Sequence, residues 1–253
     1  MEEITHIAPL GFERDRVVAP FRKYPVTRVH LLTVASERHG HELYEQQALF
    51  TDLVVGDLEE LGIEVHVHDV NIFDVLETMR KTSEVIRLEL ARGARVYVNM
   101  SAAGRLTSVA CSLAGMYQGV QVYYVKATRY SSSKEEKREH GISVCEDVVL
   151  VRLQNFYFER PKPLQCGVLK QLNGRGEMRT EELLEVLGED FDDFSEGKRY
   201  RRLPRRRKQV LLMRLNRRVL DPLEERGHIT RKREGRYSRV SISESGRYLA
   251  SIC

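Results

Sequence analysis

Along the first two-thirds of the chain, short runs of β-branched and apolar residues alternate with longer stretches of helical spacing. The runs Thr5–Leu10, Arg28–Val34, Glu64–Val70, Arg95–Ser101 and Gln121–Thr128 predict five strands. Between them, helical periodicity covers residues 13–23, 41–61, 72–92 and 105–118. Strands that alternate with helices give a parallel sheet covered on both faces. Right-handed crossovers make that sheet doubly wound and Rossmann-like. After the fifth strand the pattern changes. A polar segment, 129–141, leads without an intervening helix into an apolar run, Ile142–Leu153. This predicts a β-hairpin whose last strand lies antiparallel at one edge of the sheet.

The two prolines in Pro161-Lys162-Pro163 break both periodicities and form a short, stiff connector. They separate residues 1–160 from residues 164–253. Beyond them come an apolar helix (Leu164–Leu172), a glycine-bearing turn (Asn173–Gly176) and a helix at 180–188 with Thr180 as N-cap and Gly188 as terminator. A polar loop follows from Phe191 to Lys198. In the helix at 205–220, Leu211, Leu212, Leu215 and Val219, continued by Leu223, lie on one side, with Arg207, Arg214, Arg217, Arg218 and Asp221 on the other. Asp221-Pro222-Leu223-Glu224 reads as a fresh N-cap with proline at the first helical position, so the helix is expected to kink or restart there. Gly227 ends it. Two short strands, His228–Arg231 and Arg239–Ile242, flank a tip at Lys232–Tyr237, and a last helix spans Ser243–Ile252. Helices followed by a basic two-stranded wing describe a winged helix-turn-helix domain. The fold class is therefore an α/β Rossmann-like sheet, mostly parallel with a C-terminal β-hairpin, followed by a winged helix-turn-helix.

Charge sharpens this division. The 253 residues carry a formal net charge of +4. Residues 1–164 hold 20 basic and 23 acidic side chains, a net of −3, whereas residues 165–253 hold 21 and 14, a net of +7. Within 198–239 there are 17 basic and 4 acidic side chains. A segment so basic faces a polyanion, and the fold selects double-stranded DNA. Arg205, Arg206, Arg207, Arg214, Asn216, Arg217 and Arg218 would meet the groove. Arg231, Lys232, Arg233, Arg236 and Arg239 on the wing would lie along phosphates or the minor groove. A solvated basic surface, or an RNA or anionic protein partner, is the competing reading.

In the first part, ligands are expected beyond the carboxyl ends of strands 1 and 4, where the strand order switches. Strand 1 runs into Pro9-Leu10-Gly11-Phe12-Glu13-Arg14-Asp15-Arg16, in which Gly11 permits close backbone approach. Strand 4 runs into Asn99-Met100-Ser101-Ala102-Ala103-Gly104-Arg105-Leu106-Thr107-Ser108. Its small residues open backbone N–H groups at a helix start. Asn99, Ser101 and Thr107 can hydrogen-bond a sugar, base or phosphate, and Arg105 offers a charge to an anion. The loop is neither G-x-G-x-x-G nor G-x-x-x-x-G-K-[ST], which excludes a dinucleotide fold or a P-loop ATPase. A tight turn that only permits helix–strand packing accounts for the same residues, and spacing does not choose between the two. The helix at 105–116, rich in Ala, Ser and Gly, suits either packing beneath the sheet or a two-fold interface.

His66, His68 and Asp69 resemble a metal trio, but residues 66 and 68 share one face of a strand and no second ligand cluster accompanies them. His39 and His41, which flank a glycine, read as a solvated loop, and Cys111 reads as a small core residue. The four cysteines, at 111, 145, 166 and 253, are widely spaced and indicate neither a zinc ribbon nor a disulfide framework. No run approaches the ~20 apolar residues of a membrane span, and the acidic start is unlike a signal peptide. A cytoplasmic protein without membrane attachment, metal or cofactor is expected.

With both parts read, the chain resembles archaeal CRISPR-associated Rossmann-fold (CARF) winged-helix regulators. The resemblance rests on LGFERDRVV near the start, NMSAAGR after strand 4, the hairpin end of the sheet and the winged helix. It implies a homodimeric sensor that binds a cyclic oligoadenylate across the two-fold axis. Gly11, Phe12 and Arg14 would belong to the strand-1 loop, and Asn99, Ser101, Ala103, Gly104 and Arg105 to the strand-4 motif. Many relatives have Thr-Gly-Gly-Thr-Lys where this chain has Ser101-Ala102-Ala103-Gly104-Arg105. Arginine keeps the charge but changes its geometry, and alanine for glycine narrows the backbone approach. The expected function is a ligand-responsive transcriptional regulator, not an enzyme. Two alternatives stand beside it: a ring nuclease using little more than Ser101 and Arg105, and a constitutive nucleic-acid-binding dimer.

Overall fold

A computed structural model describes residues 2–34, 41–155, 159–190, 200, 203–235 and 237–253. The chain divides into two compact units, Met1–Phe158 and Glu159–Cys253. The expected loop around His39 and the polar loop from Phe191 to Lys198 lie outside the described residues.

In the first unit the strands are β1 (Ile4–Pro9), β2 (Arg28–Thr33), β3 (Glu64–Asp69), β4 (Arg95–Asn99), β5 (Gln121–Lys126) and β8 (Val149–Arg152). They form a six-stranded sheet, among the described residues, in the order β3-β2-β1-β4-β5-β8. The first five run parallel, and β8 pairs antiparallel with β5 at the edge. Alternation along each strand feeds two cores. Ile7 and Leu32 join Val85, Ile86 and Cys111 on one face, whereas Ala8 and Leu31 join Val17, Val54 and Leu58 on the other. The first face is covered by α3 (Val75–Ala91) and α4 (Arg105–Gln118). The second is covered by α1 (Asp15–Val18), a 3-10 turn (Ala19–Arg22) and α2 (His41–Glu60).

Small residues of α4, Ala110, Cys111, Ala114 and Gly115, are buried toward the sheet. A Cβ on Gly115 would lie 2.7 Å from Val122 Cγ2, so only glycine lets the helix come this near. Two larger apolar residues on the same helix, Leu106 and Val109, are left 65% and 51% exposed.

The polar segment after β5 departs from expectation. It carries β6 (Arg129–Tyr130), a helix α5 (Lys134–His140) and β7 (Ser143–Val144), with β6 and β7 antiparallel. The helix was illegible because it buries none of its residues. Capping holds it instead. Ser133 accepts the Glu136 N–H at 3.1 Å, acidic residues occupy the first turn, and basic residues occupy the last.

The second unit begins with α6 (Pro163–Arg175), for which Lys162 is the N-cap and Pro163 the first residue. Then come β9 (Glu177–Arg179), α7 (Thr180–Asp190), α8 (Arg205–Leu215) and α9 (Asp221–Glu225), followed by β10 (Ile229–Glu234), β11 (Tyr237–Ile242) and α10 (Glu244–Ile252). The wing pair β10 and β11 gains a third strand, because β9 pairs antiparallel with β11. Leu169, Leu172, Leu183, Leu187, Leu215, Leu223 and Val240 meet in one core.

Three local expectations are corrected here. Thr180 donates its hydroxyl to Ser238 O at 3.1 Å instead of capping α7, which continues past Gly188 to Asp190. Asp221 is not an N-cap. It stays in the right-handed helical region, and a π turn at Asn216–Leu220 joins α8 to α9, with the Asp221 N–H bonded to Asn216 O. Cys166 and Cys253, far apart in sequence, form a disulfide with 5.7 Å between their Cα atoms. Packing of α10 on α6 brings them together, which spacing along the chain could not reveal.

Candidate functional site

The sheet order reverses direction at β1, whose neighbours are β2 and β4, so the switch point lies beyond the ends of β1 and β4. The two loops there are joined. The Gly11 N–H donates to Ala102 O at 2.7 Å, and a Cβ on Gly11 would lie 3.4 Å from Ala102 O and Ala103 Cα.

Asn99 and Ser101 are buried beneath this junction and bond within it. Asn99 Nδ2 donates to Arg16 O at 2.8 Å, and Asn99 Oδ1 accepts the Ser101 N–H at 2.9 Å and the Ser101 hydroxyl. Arg16 Nη1 returns a hydrogen bond to Ser101 O at 2.8 Å, and its guanidinium lies 4.9 Å from the centre of the Tyr124 ring. Thr107 donates to Ile72 O at 2.6 Å. These polar groups therefore join the two loops to each other. Beyond them, at the start of α4, Ala103 is half-buried and Gly104 and Arg105 are exposed. The Arg105 side chain makes no ion pair or hydrogen bond among the described residues.

Phe12 and Arg14 turn to other partners. The Phe12 ring meets Phe50 edge-to-face at 5.7 Å. Arg14 donates to both oxygens of Asp57 at 2.6 Å and to Glu139 O at 2.7 Å. The hydrogen bonds to Asp57 outweigh burial and raise its pKa. Glu13 accepts from the N–H and hydroxyl of Ser143 at 3.0 and 2.8 Å, and burial raises its pKa. Asp15 accepts from the Cys145 N–H at 2.9 Å. Thus the strand-1 loop is clamped to the segment around α5. The sequence singled out the loop but not these partners. The alternation of acidic and basic residues in Glu13-Arg14-Asp15-Arg16 was the available signal.

A network under α3 was also missed. Glu89, whose side chain is fully buried, accepts from Thr5 at 2.8 Å, Arg28 at 2.7 Å and Arg92 at 2.9 Å. Burial alone would raise its pKa, but the hydrogen bonds from Thr5 and Arg28 prevail and lower it. His30 stacks on His66 and His68 and lies 2.8 Å from His68 Nε2, so the histidines of β3 pack against the sheet.

In the second unit, exposed cations are concentrated on α8, the π turn and the wing. Arg205, Arg206, Arg207, Arg217, Arg218, Lys232 and Arg233 are exposed, and Arg214 is half-buried. Asn216, Arg231 and Arg239, among the expected contact residues, bond within the chain. Arg231 reaches Glu224 and Asp221 and lies 3.5 Å from Asn216 Oδ1, with the Glu224 hydrogen bonds raising its pKa. Arg239 pairs with Glu177. Arg236 lies outside the described residues.

The first unit is therefore a mostly parallel, Rossmann-type sheet with an antiparallel edge strand, and the second is a winged helix domain. Residues 4–130, just over half of the chain, match the family described as HFX_2341_N-like, N-terminal, and the chain belongs to that family. Residues 165–253 match the DUF6293 C-terminal winged helix domain. Similar solved structures include Can2 from Sulfobacillus thermosulfidooxidans in complex with cyclic tetra-adenylate, at 16% identity and TM-score 0.38, covering 48% of this chain and 31% of that one. Csm6 from Enterococcus italicus, bound to cyclic hexa-2'-fluoro-hexa-dAMP, gives 15% identity and TM-score 0.45 over 85% of this chain and 53% of that one. Protein VC1899 from Vibrio cholerae gives 12% identity and TM-score 0.41 over 98% and 66%. The chain thus spans about a third to two-thirds of the length of these structures. No curated protein matches it.

Proposed function

We propose that the protein is a homodimeric transcriptional regulator in which the Rossmann-like unit binds a cyclic oligoadenylate or related nucleotide and the winged helix binds double-stranded DNA. The observation that carries this reading is the row of exposed cations on one winged helix: Arg205, Arg206, Arg217 and Arg218 on the long helix, and Lys232 and Arg233 on the wing. Such a row neutralises phosphates and gives salt-dependent affinity. Arg231, held by Glu224 and Asp221, braces the wing against that helix. On the sensor, Ala103, Gly104 and Arg105 present backbone and one cation to an anion. Exposed Leu106 and Val109 beside them suit the surface of a second protomer.

Residues 1–160 serve as sensor, 161–163 as connector and 164–253 as reader. A ligand shifts DNA binding only by binding two conformations of the dimer unequally. The test is a gel shift on DNA upstream of the protein's own gene, with and without cyclic tetra-adenylate. The expected outcome is a change of at least about tenfold in DNA affinity, equivalent to about 1.4 kcal/mol of coupling. Equal affinity in both conditions, despite confirmed ligand binding, overturns the switching mechanism. Retention of DNA binding by an Arg217→Ala, Arg218→Ala variant at every salt concentration overturns the DNA-contact assignment.

A further inference from the structure

Beside α5, a cavity of about 640 Å³ is lined by the apolar residues Phe12, Phe50 and Ile142 and by the cations Lys134, Lys137 and Arg138. None of residues 99–105 lines it.

Its chemistry is divided in two. The edge-to-face pair Phe12 and Phe50 forms an aromatic wall, extended by Leu49 and Ile142, which remain 52% and 45% exposed. Apolar surface left open in a concavity invites a ligand. The same cavity is lined by three cations at i, i+3 and i+4 of α5, which share one face of the helix. Of the acidic residues of α5, Glu136 pairs with Arg129 at 2.8 Å and with Ser132, and the Glu139 carboxylate lies 3.8 Å from His140 Nε2. The residues that line the cavity include three cations and no carboxylate.

The wall is also fixed in place. Ile142 N–H donates to Phe12 O at 2.9 Å and Arg14 N–H to His140 O at 3.1 Å. Gly141, at φ +90°, sits so close that a Cβ would lie 2.7 Å from Phe12 O. The cations are thus carried by an element bolted to the aromatic wall, which lowers the cost of ordering them around a ligand.

We infer that this cavity is a binding site for a mononucleotide-sized anion, with its planar ring against Phe12 and Phe50 and its phosphate against Lys134, Lys137 and Arg138. Stacking on an aromatic wall accepts any base, and the cations fix which end of the ligand faces α5. The site is separate from the one proposed above at Gly104 and Arg105.

The experiment is calorimetric titration of the full chain with AMP, adenosine and inorganic phosphate. AMP is expected to bind saturably below about 1 mM, and adenosine and phosphate each at least about tenfold more weakly, because each engages only one half of the cavity. A Lys137→Ala, Arg138→Ala variant, both positions exposed, should weaken AMP binding at least about tenfold while phosphate screening by salt becomes shallower. Arg105→Ala should leave AMP binding unchanged. Absence of AMP binding overturns the inference. So does AMP binding that survives loss of Lys137 and Arg138 but fails in Arg105→Ala, which places the ligand at the other site. Failure of cyclic tetra-adenylate to alter DNA binding bears only on the regulator mechanism and leaves this titration standing.

Discussion

His6 makes the sensor acid-sensitive by a calculable amount. It lies on β1 with 6% of its surface exposed, stacked on Tyr97 at 4.9 Å and edge-on to Phe21 and Tyr123, with Nδ1 2.9 Å from the Tyr123 hydroxyl. Burial lowers its pKa from 6.5 to about 3. Between those values the unfolded chain takes up a proton that the folded chain refuses. Stability is therefore present above pH 6.5 and is lost progressively as pH falls through this window. From pH 7 to pH 5 the loss amounts to about 2 kcal/mol, a large part of the ~5–15 kcal/mol that holds a typical domain. The assay is urea unfolding at pH 7 and pH 5, followed by circular dichroism, for the natural chain and for His6→Phe. Other groups also titrate. Burial lowers the pKa of His30 and raises that of Glu13, with opposite effects on the slope, but both are shared by the two proteins and cancel in the comparison. The loss on acidification should be about 2 kcal/mol smaller in His6→Phe. Equal losses, or an NMR titration of the His6 ring with its midpoint near 6.5, would refute the reasoning.

The buried carboxylate of Glu89 gives a second expectation. Glu89→Ala should destabilise the first unit by about 3–5 kcal/mol in urea melts, because Arg28, Thr5 and Arg92 lose their common acceptor. Its lowered pKa means that its contribution is present above the ordinary carboxylate range and disappears as pH falls through the lowered value. In the second unit, Gly246→Ala would place a Cβ 2.1 Å from His228 O and 2.8 Å from Ile242 Cγ1, and should cost about 3 kcal/mol in the unfolding transition of that unit. Cys166 and Cys253 close a loop with a sequence separation of 87, and chain entropy assigns such a closure about 4–5 kcal/mol. Dithiothreitol, or Cys166→Ser, should lower the urea midpoint of the same transition, and an unchanged midpoint would contradict the structural role of the bond.

The sheet was legible because its central strands carry buried apolar residues in short runs, such as Val29, Leu31 and Leu32 in β2 and Val96 and Val98 in β4. The winged helix was legible from the spacing of Leu211, Leu215, Val219 and Leu223 and from the turn at Gly235. What escaped notice depends on partners distant in sequence. α5 has no buried stripe to give it a period, and only the cap at Ser133 marks its start. The disulfide needed the docking of α10 on α6. The candidate site was legible as two loops, joined through Gly11 and Ala102, but the sequence did not show that Phe12 and Arg14 bond toward α5 and α2 while Asn99 and Ser101 bond to Arg16. Loop residues choose among several neighbours, and the choice follows geometry that local pattern does not encode.

The π turn at Asn216–Leu220 acts as a phase corrector. Leu211, Leu215, Val219 and Leu223 recur every four residues, and in a regular α-helix of 3.6 residues per turn each step would rotate about 40° past the last. Over three steps the stripe would wind about a third of the way round and carry Leu223 out of the core. The wider turn absorbs about one residue and cancels most of that winding, so all four remain inside, from 0% to 5% exposed. The same correction governs the outer side. Arg217 and Arg218 ride on the turn itself, and their bearing relative to Arg205 and Arg206 is set by it. Deleting one residue from the segment would restore α-helical winding and swing one group of arginines about 100° against the other, with no change in net charge.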